Sequence, residues 1–452
     1  MHEKIWYPRV LVVDACPFNR NRNTGILKSS MFEGWPKDRL AAIDYSNMQP
    51  GFDVCDQYWR LTKTDIMRGL VGLSPTAGPL AKPPNVEGSP FDPAVAFKYE
   101  GRPLIEQQLS FLSANLRTSI GELMFSLPSV LSSSLRRWIA KFRPDVVFSI
   151  AGSLAMLRTI ARISAWRKIP LVLFFTDDWV DTAYRGEIGT SILRASMQKW
   201  LRTCLDASRV RFTASEAMAA EYACRYGAVF EPLMQSVEAD VVNRLFQSPP
   251  IHKAVRFTFT GSMAPNRWQP LQAIGRALLE LREDGIDGEL HIYSLPQDLE
   301  AYRSCFQMGP AVRLAGTAKP CEIPAIQRDA DVLVHVEAFD GDTRRYTRLS
   351  LSTKIPQYFA AGRCVFAYGP AELASIKYIG ESGAGITECG ESPDAVRNAL
   401  RRIILNPRLR ELAGHAGVEV ALARHDGITQ RERFRHVVCE AATATQERSI
   451  NA

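Results

Sequence analysis

Residues 331–370, DVLVHVEAFDGDTRRYTRLSLSTKIPQYFAAGRCVFAYGP, constrain the fold more than any other part of the chain. Val332 to Val336 form a short, continuous apolar run, and Cys364 to Tyr368 form another that ends in Gly369-Pro370. Between them Leu351, Ile355, Tyr358 and Phe359 fall at i, i+4, i+7 and i+8 and share one helical face. A buried strand, a helix and a second buried strand are the unit from which parallel sheets are built. Pro356 belongs in the first turn of that helix, where a missing N–H loses no partner, so Ser352 or Thr353 is the expected cap. The positive end of the helix would then lie beside Lys354 and the loop residue Glu337. Such an end either binds an anion, above all phosphate, or simply packs as an ordinary capped junction.

The same grammar governs the first half of the chain. Arg9 to Asp14 reads as a buried strand, Pro17 to Thr24 as a polar loop and Gly25 to Phe32 as the start of a helix. Thr24 and Gly25 therefore stand where a phosphate-facing turn would be, though a glycine also suits a plain turn. Leu40 to Asp44 is a second strand, and residues 70–93, rich in Pro, Gly, Ser and Ala, read as a long loop. From Leu104 to Lys141 apolar residues recur at helical spacing, with Arg117, Arg136, Arg137 and Lys141 among them. That pattern fits a core-facing helix or a basic helix lying on a membrane surface. Strands at Arg143–Ile150 and Ile169–Phe175 follow, the second delivering Asp177 and Asp178 to the carboxyl edge of the sheet, where open α/β sheets bind ligands. There the two carboxylates could orient a hydroxyl or take its proton; alternatively Asp177 caps the next segment and Asp178 is solvated. Helices over 192–205 and 215–226 and a strand over 210–213 complete this half.

Residues 231–253 are irregular and carry Pro249-Pro250, which marks a domain boundary. The second half reopens with the strand Val255–Thr260, then Gly261, a loop with Asn266 and Arg267, and a helix whose Trp268, Leu271, Ile274, Leu278 and Leu281 share a face. At the amino end of that helix a guanidinium can hold a diphosphate bidentately, or be merely solvated. Strands over Glu289–Tyr293 and Val312–Leu314 follow, with Gly316 and Thr317 after the second. His335, inside an apolar strand, reads as a core residue. Arg344, Arg345 and Arg348 form a basic run that is either solvated or closes on phosphates, and Glu372 follows the Gly369-Pro370 turn. Helices are expected over 393–405, 407–423 and 428–442. The expected organisation is one domain over 1–235, a second over 236–425, and a final segment, 426–452, that returns to the first.

Composition removes several function classes. With 46% hydrophobic and 23% charged residues in 452, the chain is globular and long enough for two domains or more. Nine scattered cysteines without a C-x-x-C pair indicate neither a disulfide framework nor a zinc site, which suits a reducing cytoplasm. No apolar run approaches the roughly 18 residues of a membrane span, and the N-terminus reads as a strand rather than a signal peptide. A net charge of +7 suits an anionic small substrate or an anionic membrane surface, with no indication of nucleic acid. Asp340-Gly-Asp342 has the spacing of a metal-binding pair, but the neighbouring arginines argue against a cation site.

The run Glu337-Ala-Phe, then Ser352-Thr-Lys-Ile-Pro-Gln-Tyr-Phe-Ala-Ala-Gly362, then a strand and Gly369-Pro370, resembles the donor-binding region of family 4 glycosyltransferases of the GT-B fold. The resemblance covers residues 255–440 well and residues 9–230 in outline. It departs at Gln357, where the family carries a second Glu, and at residues 338–350, which read as an insertion. What it implies is an α/β protein of two Rossmann-like domains facing a cleft, acting as a retaining, metal-independent glycosyltransferase without a bound cofactor. The donor would be a nucleotide-diphosphate sugar and the acceptor a saccharide or lipid-linked hydroxyl in cell-surface polysaccharide synthesis. Donor contacts would come from Thr24, Gly25, Gly261, Arg267, Thr317, Ser352, Thr353, Lys354, Gln357 and Glu372. Glu337 would act at the donor sugar and Asp177 or Asp178 at the acceptor, in a cytoplasmic protein with peripheral contact to the inner membrane left open. A nucleotide-sugar epimerase or hydrolase, or a scaffold that has lost catalysis, remain alternatives.

Overall fold

A computed structural model of the protein describes residues 6–20, 23–46, 48–61, 78–80, 131–185, 190–238 and 252–450. The chain divides into two compact units, Met1–Leu233 with Arg431–Ala452, and Met234–Gln430. It therefore crosses from one unit to the other twice.

The first unit is built on an eight-stranded sheet in the order β4-β3-β2-β1-β5-β6-β7-β8. Its strands are β1 (Val10–Asp14), β2 (Leu40–Asp44), β3 (Tyr58–Arg60), β4 (Gly78–Leu80), β5 (Val146–Ile150), β6 (Leu171–Phe175), β7 (Ser208–Thr213) and β8 (Glu231–Pro232). All neighbours run parallel except the β3/β4 pair. The continuous apolar runs in β1, β5 and β6 are buried throughout, as a parallel sheet covered on both faces requires. Helices α1 (Asn23–Met31), α2 (Ser133–Phe142), α3 (Leu154–Arg167), the short α4 (Trp179–Thr182), α5 (Thr190–Ala207) and α6 (Glu216–Tyr226) connect them. Ser132, Ser153 and Ser215 fix the starts of α2, α3 and α6 by accepting from the amides of Leu135, Met156 and Met218.

The second unit holds six parallel strands in the order β11-β10-β9-β12-β13-β14: β9 (Val255–Thr260), β10 (Gly288–Tyr293), β11 (Val312–Gly316), β12 (Val332–Val336), β13 (Cys364–Tyr368) and β14 (Gly385–Glu388). Its helices are α7 (Trp268–Glu283), α8 (Pro296–Ala301), α9 (Ile323–Arg328), α10 (Gly341–Thr347), α11 (Ile355–Ala360), α12 (Ala374–Glu381), α13 (Pro393–Leu405), α14 (Pro407–Arg424) and α15 (Gly427–Ile450). Alternate residues of β12 feed two cores. Val332, Val334 and Val336 join the Leu271, Leu278 and Leu400 side, while Leu333 joins Ile355, Phe359 and Val418. Each such buried aliphatic side chain contributes about 1.5–3 kcal/mol, so β12 is anchored from both faces. From Arg431 onward α15 belongs to the first unit, where Phe434 packs edge-on against Phe32 and Phe148.

Several sequence expectations are corrected in detail. Helix α1 begins at Asn23, so Thr24 lies in its first turn with Gly25 rather than in the loop ahead of it. Helix α11 begins at Ile355 with Lys354 at the cap and no side-chain cap bond, so neither Ser352 nor Thr353 caps it. Pro356 does sit in the first turn. Residues 338–350 contain a helix, α10, capped by Asp340 through the Thr343 amide. The expected loop over 70–93 lies outside the described residues apart from β4, and of the helical pattern expected over 104–141 only the part from Leu131 is described, where it forms α2.

Candidate functional site

In the second unit β9 connects to β10 on one side and lies beside β12 on the other. That reversal of strand order leaves a crevice at the carboxyl ends of the strands, the usual ligand position in open α/β sheets. Gly261 follows β9 and Glu337 follows β12, so both residues stand at that edge. Arg267 reaches the same place from the β9–α7 loop and Lys354 from the head of α11.

Glu337 is buried, and its Oε1 and Oε2 accept from Arg267 Nη2 at 3.4 and 3.1 Å. His335 Nε2 approaches the same carboxylate at 3.2 Å, off the line of a good hydrogen bond. Burial alone would raise the Glu337 pKa, but the Arg267 charge and the His335 contact outweigh it and hold the group down at about 2. Burial lowers the pKa of His335. The pair Arg267–Glu337 thus presents a charged carboxylate and a guanidinium whose Nη1 also donates to the Ala264 carbonyl at 3.1 Å.

Lys354 lies half-buried with Nζ 4.6 Å from the ring centre of Phe259. Burial, then the nearby Arg267 charge, lower its pKa to about 7, although Glu337 pulls the other way. Its position is set one helical turn later by Tyr358, whose hydroxyl meets Thr260 Oγ1 at 3.3 Å and donates to the Thr260 carbonyl at 3.4 Å. Gln327 Nε2 donates to the same Thr260 Oγ1 at 3.2 Å. Gly261 has φ +134° and a Cβ there would collide with Lys354 Nζ, so only glycine lets the ammonium sit against the strand end.

The loop carrying Arg267 is itself held. Asp298, buried at the head of α8, accepts at Oδ2 from Ser262 Oγ (2.9 Å), the Met263 amide (2.8 Å) and Ser294 Oγ (3.1 Å). Asn266 Nδ2 donates to Asp340 Oδ2 at 3.0 Å, tying the loop to α10. From the other end of α10, Arg344 Nε donates to Glu372 at 2.8 Å. Helix α10 therefore links the loop before Arg267's helix to the turn after β13.

Of the residues singled out in the sequence, Gly261, Arg267, Glu337 and Lys354 come together. Ser352 and Thr353 precede Lys354, with the Ser352 amide donating to Ser375 Oγ at 3.1 Å and Thr353 exposed. Gln357 is exposed on α11, and Glu372 is exposed and paired with Arg344. Thr317 is exposed and bonds the Ser294 carbonyl at 3.0 Å. Asp340 is engaged as a helix cap, and no group of metal-binding side chains occurs among the described residues. His335, Tyr358 and Asp298 were not foreseen as site residues. The alternation in β12 puts His335 and Glu337 on one side of the strand, which is the signal that the sequence held for His335.

Thr24, Gly25, Asp177 and Asp178 belong to the first unit. Gly25 is buried, and a Cβ there would strike Asn19 and the Pro17 carbonyl. Three residues on, Lys28 is buried and bonds both Asp14 and the Cys16 carbonyl, fixing the start of the β1–α1 loop. Asp178 is buried rather than solvated, accepting from Tyr222 Oη at 2.9 Å and from Arg225 at 2.9 and 3.0 Å. It stands at the start of α4 without a side-chain cap bond. Asp177 is half-buried and accepts from Thr176 Oγ1 at 3.1 Å.

No family model and no curated protein sequence matches the chain. Solved structures do. Sucrose-phosphate synthase from Thermosynechococcus elongatus superposes with a TM-score of 0.61 at 12% identity, over 96% of this chain and 100% of the other. Anabaena HepE in complex with UDP and glucose gives 0.60 at 11% identity, over 96% and 100%. WaaG, a glycosyltransferase involved in lipopolysaccharide biosynthesis, gives 0.56 at 12% identity, over 95% and 99%. The fold is GT-B. In this GT-B chain the second unit carries the cluster of Arg267, Glu337 and Lys354, and the expected fold class holds.

Proposed function

We propose that the protein is a glycosyltransferase that takes its sugar from a nucleotide-diphosphate donor bound by the second unit. The observation that carries this is the cluster of Arg267, Lys354 and Glu337 at the crossover of β9 and β12. Two cations beside one buried carboxylate suit a diphosphate next to a hydroxyl-rich ring. The GT-B fold supports the same reading, as does the binding of UDP and glucose by HepE.

In this mechanism Arg267 and Lys354 stabilise the charge that grows on the diphosphate as the bond from the sugar's anomeric carbon breaks. The acceptor oxygen forms the new bond to that carbon, and the acceptor proton leaves with the diphosphate. Glu337, kept ionised by Arg267, holds the sugar hydroxyls and the face on which positive charge develops. Gln357 hydrogen-bonds the ribose, for which an amide serves as well as a carboxylate. Thr24 and Gly25 in the first unit, and Ser352, Thr353, Thr317 and Glu372 in the second, supply further polar contacts to the donor. Asp177 orients the acceptor hydroxyl, while Asp178, committed to Arg225 and Tyr222, positions the segment that bears it. Transfer proceeds with retention and without a metal. The acceptor is a saccharide or lipid-linked saccharide of a cell-surface polysaccharide, in keeping with WaaG's place in lipopolysaccharide biosynthesis.

A thermal-shift screen of the chain against UDP, GDP, ADP and TDP and their sugar conjugates, with EDTA or Mg²⁺, tests the donor. The expected result is a shift with one nucleotide series that EDTA leaves intact, followed by donor consumption with an acceptor extract and retention by NMR of the product. Both the shift and turnover should be lost in Lys354→Ala, and turnover in Glu337→Gln. A shift without turnover in any extract would favour the non-catalytic scaffold, and donor consumption without an acceptor would favour an epimerase or hydrolase.

A further inference from the structure

Glu337 belongs to a group of three side chains whose hydrogen bonding is incomplete. It follows β12, and strand alternation places it on the same side as His335, two residues earlier. The His335 and Glu337 side chains are each 3% exposed, whereas that of Arg267 is 18% exposed and is the member that solvent reaches. Arg267 Nη2 serves both carboxylate oxygens, at 3.4 and 3.1 Å, while Nη1 is tied to the Ala264 carbonyl at 3.1 Å. His335 Nε2 lies 3.2 Å from Glu337 Oε1 but out of line, and it has no hydrogen-bond partner among the described residues. A buried ring nitrogen left in that state calls for an explanation. Burial lowers the pKa of His335 against the pull of Glu337, so the ring is neutral near pH 7 and has one N–H to give.

We propose that His335 is a positioning residue that takes over the hydrogen bond to Glu337 when Arg267 turns to the donor's diphosphate. This exchange rests on the donor reading above, in which Arg267 serves the diphosphate. Both hydrogens of Nη2 are directed at Glu337, so giving one to a phosphate oxygen takes it from the carboxylate. A carboxylate buried this deeply is costly to leave under-bonded, because solvent barely reaches it to compensate. His335 Nε2 is already within reach, and a turn of the carboxylate about its last bond brings Oε1 into line. The tautomer this requires carries its hydrogen on Nε2. The main chain stays in place, with the Glu337 amide on the Tyr368 carbonyl at 3.0 Å. Arg267 remains close enough for its charge to keep Glu337 ionised, while the imidazole fixes the direction of the carboxylate. One motion satisfies both the stranded ring nitrogen and the carboxylate. His335 thereby couples occupancy by the phosphates to the aim of Glu337 at the sugar.

The test is calorimetric binding of UDP, GDP, ADP and TDP to the full chain and to His335→Phe, His335→Gln, Glu337→Gln and the double variant Glu337→Gln with His335→Phe. His335→Phe removes the N–H and keeps the bulk of the ring. Its melting temperature without nucleotide should be no lower than the parent's, because an unsatisfied polar group is exchanged for an apolar one. Its affinity for the nucleotide that the parent binds should fall about tenfold or more, the size of a lost hydrogen bond to a charged group. His335→Gln, whose amide nitrogen can reach the Nε2 position, should restore most of that loss. In the Glu337→Gln chain the same His335→Phe change should cost less than about twofold, since a neutral amide has no need of a replacement donor. His335→Leu repeats the apolar replacement in a smaller volume, so that a clash of the phenyl ring is not mistaken for a lost donor. Affinity unchanged in both apolar variants, no recovery in His335→Gln, or a loss of equal size in the Glu337→Gln background would each overturn the exchange and leave the donor reading standing. No binding of any of these nucleotides to the parent chain would overturn the donor reading and the exchange with it.

Discussion

Gly261 shows how one backbone angle decides where a charge can sit. At φ +134° an alanine is strained, and its methyl would displace Lys354 from the Phe259 ring. Gly261→Ala is expected to cost about 1–3 kcal/mol in urea unfolding and to weaken nucleotide binding in calorimetry. Lys354 carries a second consequence. Because its folded pKa is depressed to about 7, the unfolded chain binds a proton there that the folded chain lacks at any pH between that value and the ordinary lysine range. This group's contribution to stability therefore rises with pH across the window, with its full penalty felt below 7. A bound diphosphate favours the ammonium, so nucleotide affinity is expected to fall as pH rises above 7, by up to about tenfold per unit. Calorimetry at pH 8 in buffers of different ionisation enthalpy should register uptake of up to one proton. Uptake of none would show that the free protein already holds Lys354 charged. Glu337 works in the opposite sense. Its depressed pKa stabilises the fold above the ordinary glutamate range, and that contribution is lost as pH falls through about 2.

At the scale of elements, the short α10 and the head of α8 hold the site without entering it. Asp298 collects three donors from two loops, and all of them lose their acceptor together if it is truncated. Asp298→Ala is expected to destabilise the protein by about 2–4 kcal/mol, because a buried donor left unsatisfied costs about 1–3 kcal/mol. Since the same loop aims Arg267 at Glu337, nucleotide affinity should fall too, whereas a helix remote from the site would change stability alone. Arg344→Ala, at the exposed pair with Glu372, is expected to change stability by less than about 1 kcal/mol in the same urea experiment. A larger effect would mean that α10 is tied down more firmly than its surface pair provides.

For the whole molecule, the two chain crossings are joined near their roots within the second unit. Val237 bridges to Asp426, and His425, fully buried, bonds the Gln235 carbonyl at Nδ1 (2.8 Å) and Tyr378 Oη at Nε2 (2.7 Å). Burial lowers the His425 pKa to about 4. The unfolded chain protonates it first, so stability is lost as pH falls from the ordinary histidine range towards 4. His425→Phe should remove that part of the pH dependence while breaking the paired crossings. Two compact units also make a single two-state transition a poor expectation. In scanning calorimetry a nucleotide at about 100 times its Kd adds about 2.7 kcal/mol to the unit that binds it, raising one transition by roughly 5–10 °C. A nucleotide that raised only the first unit's transition would argue against a donor held chiefly by the second unit.

The sequence by itself determined the alternation of strands and helices, because continuous apolar runs and 3.6-residue periodicity are local signals of burial. It also exposed the residues around β12 and α11, where a glutamate, a lysine and a proline stand at meaningful spacings. Strands as short as β3, β4 and β8 left no such signal, and the insertion after Glu337 concealed a helix because its polar residues outnumber its buried ones. What the tertiary structure decided was how each charge is held. Asp177 and Asp178 look alike in sequence, yet Asp178 is the one buried against Arg225 and Tyr222, some 45 residues on. Arg267 and Glu337 are 70 residues apart and meet only because β9 and β12 are neighbours in the sheet. Desolvation and pairing are properties of the surroundings rather than of the residue, so the roles of these charges follow from the packed fold.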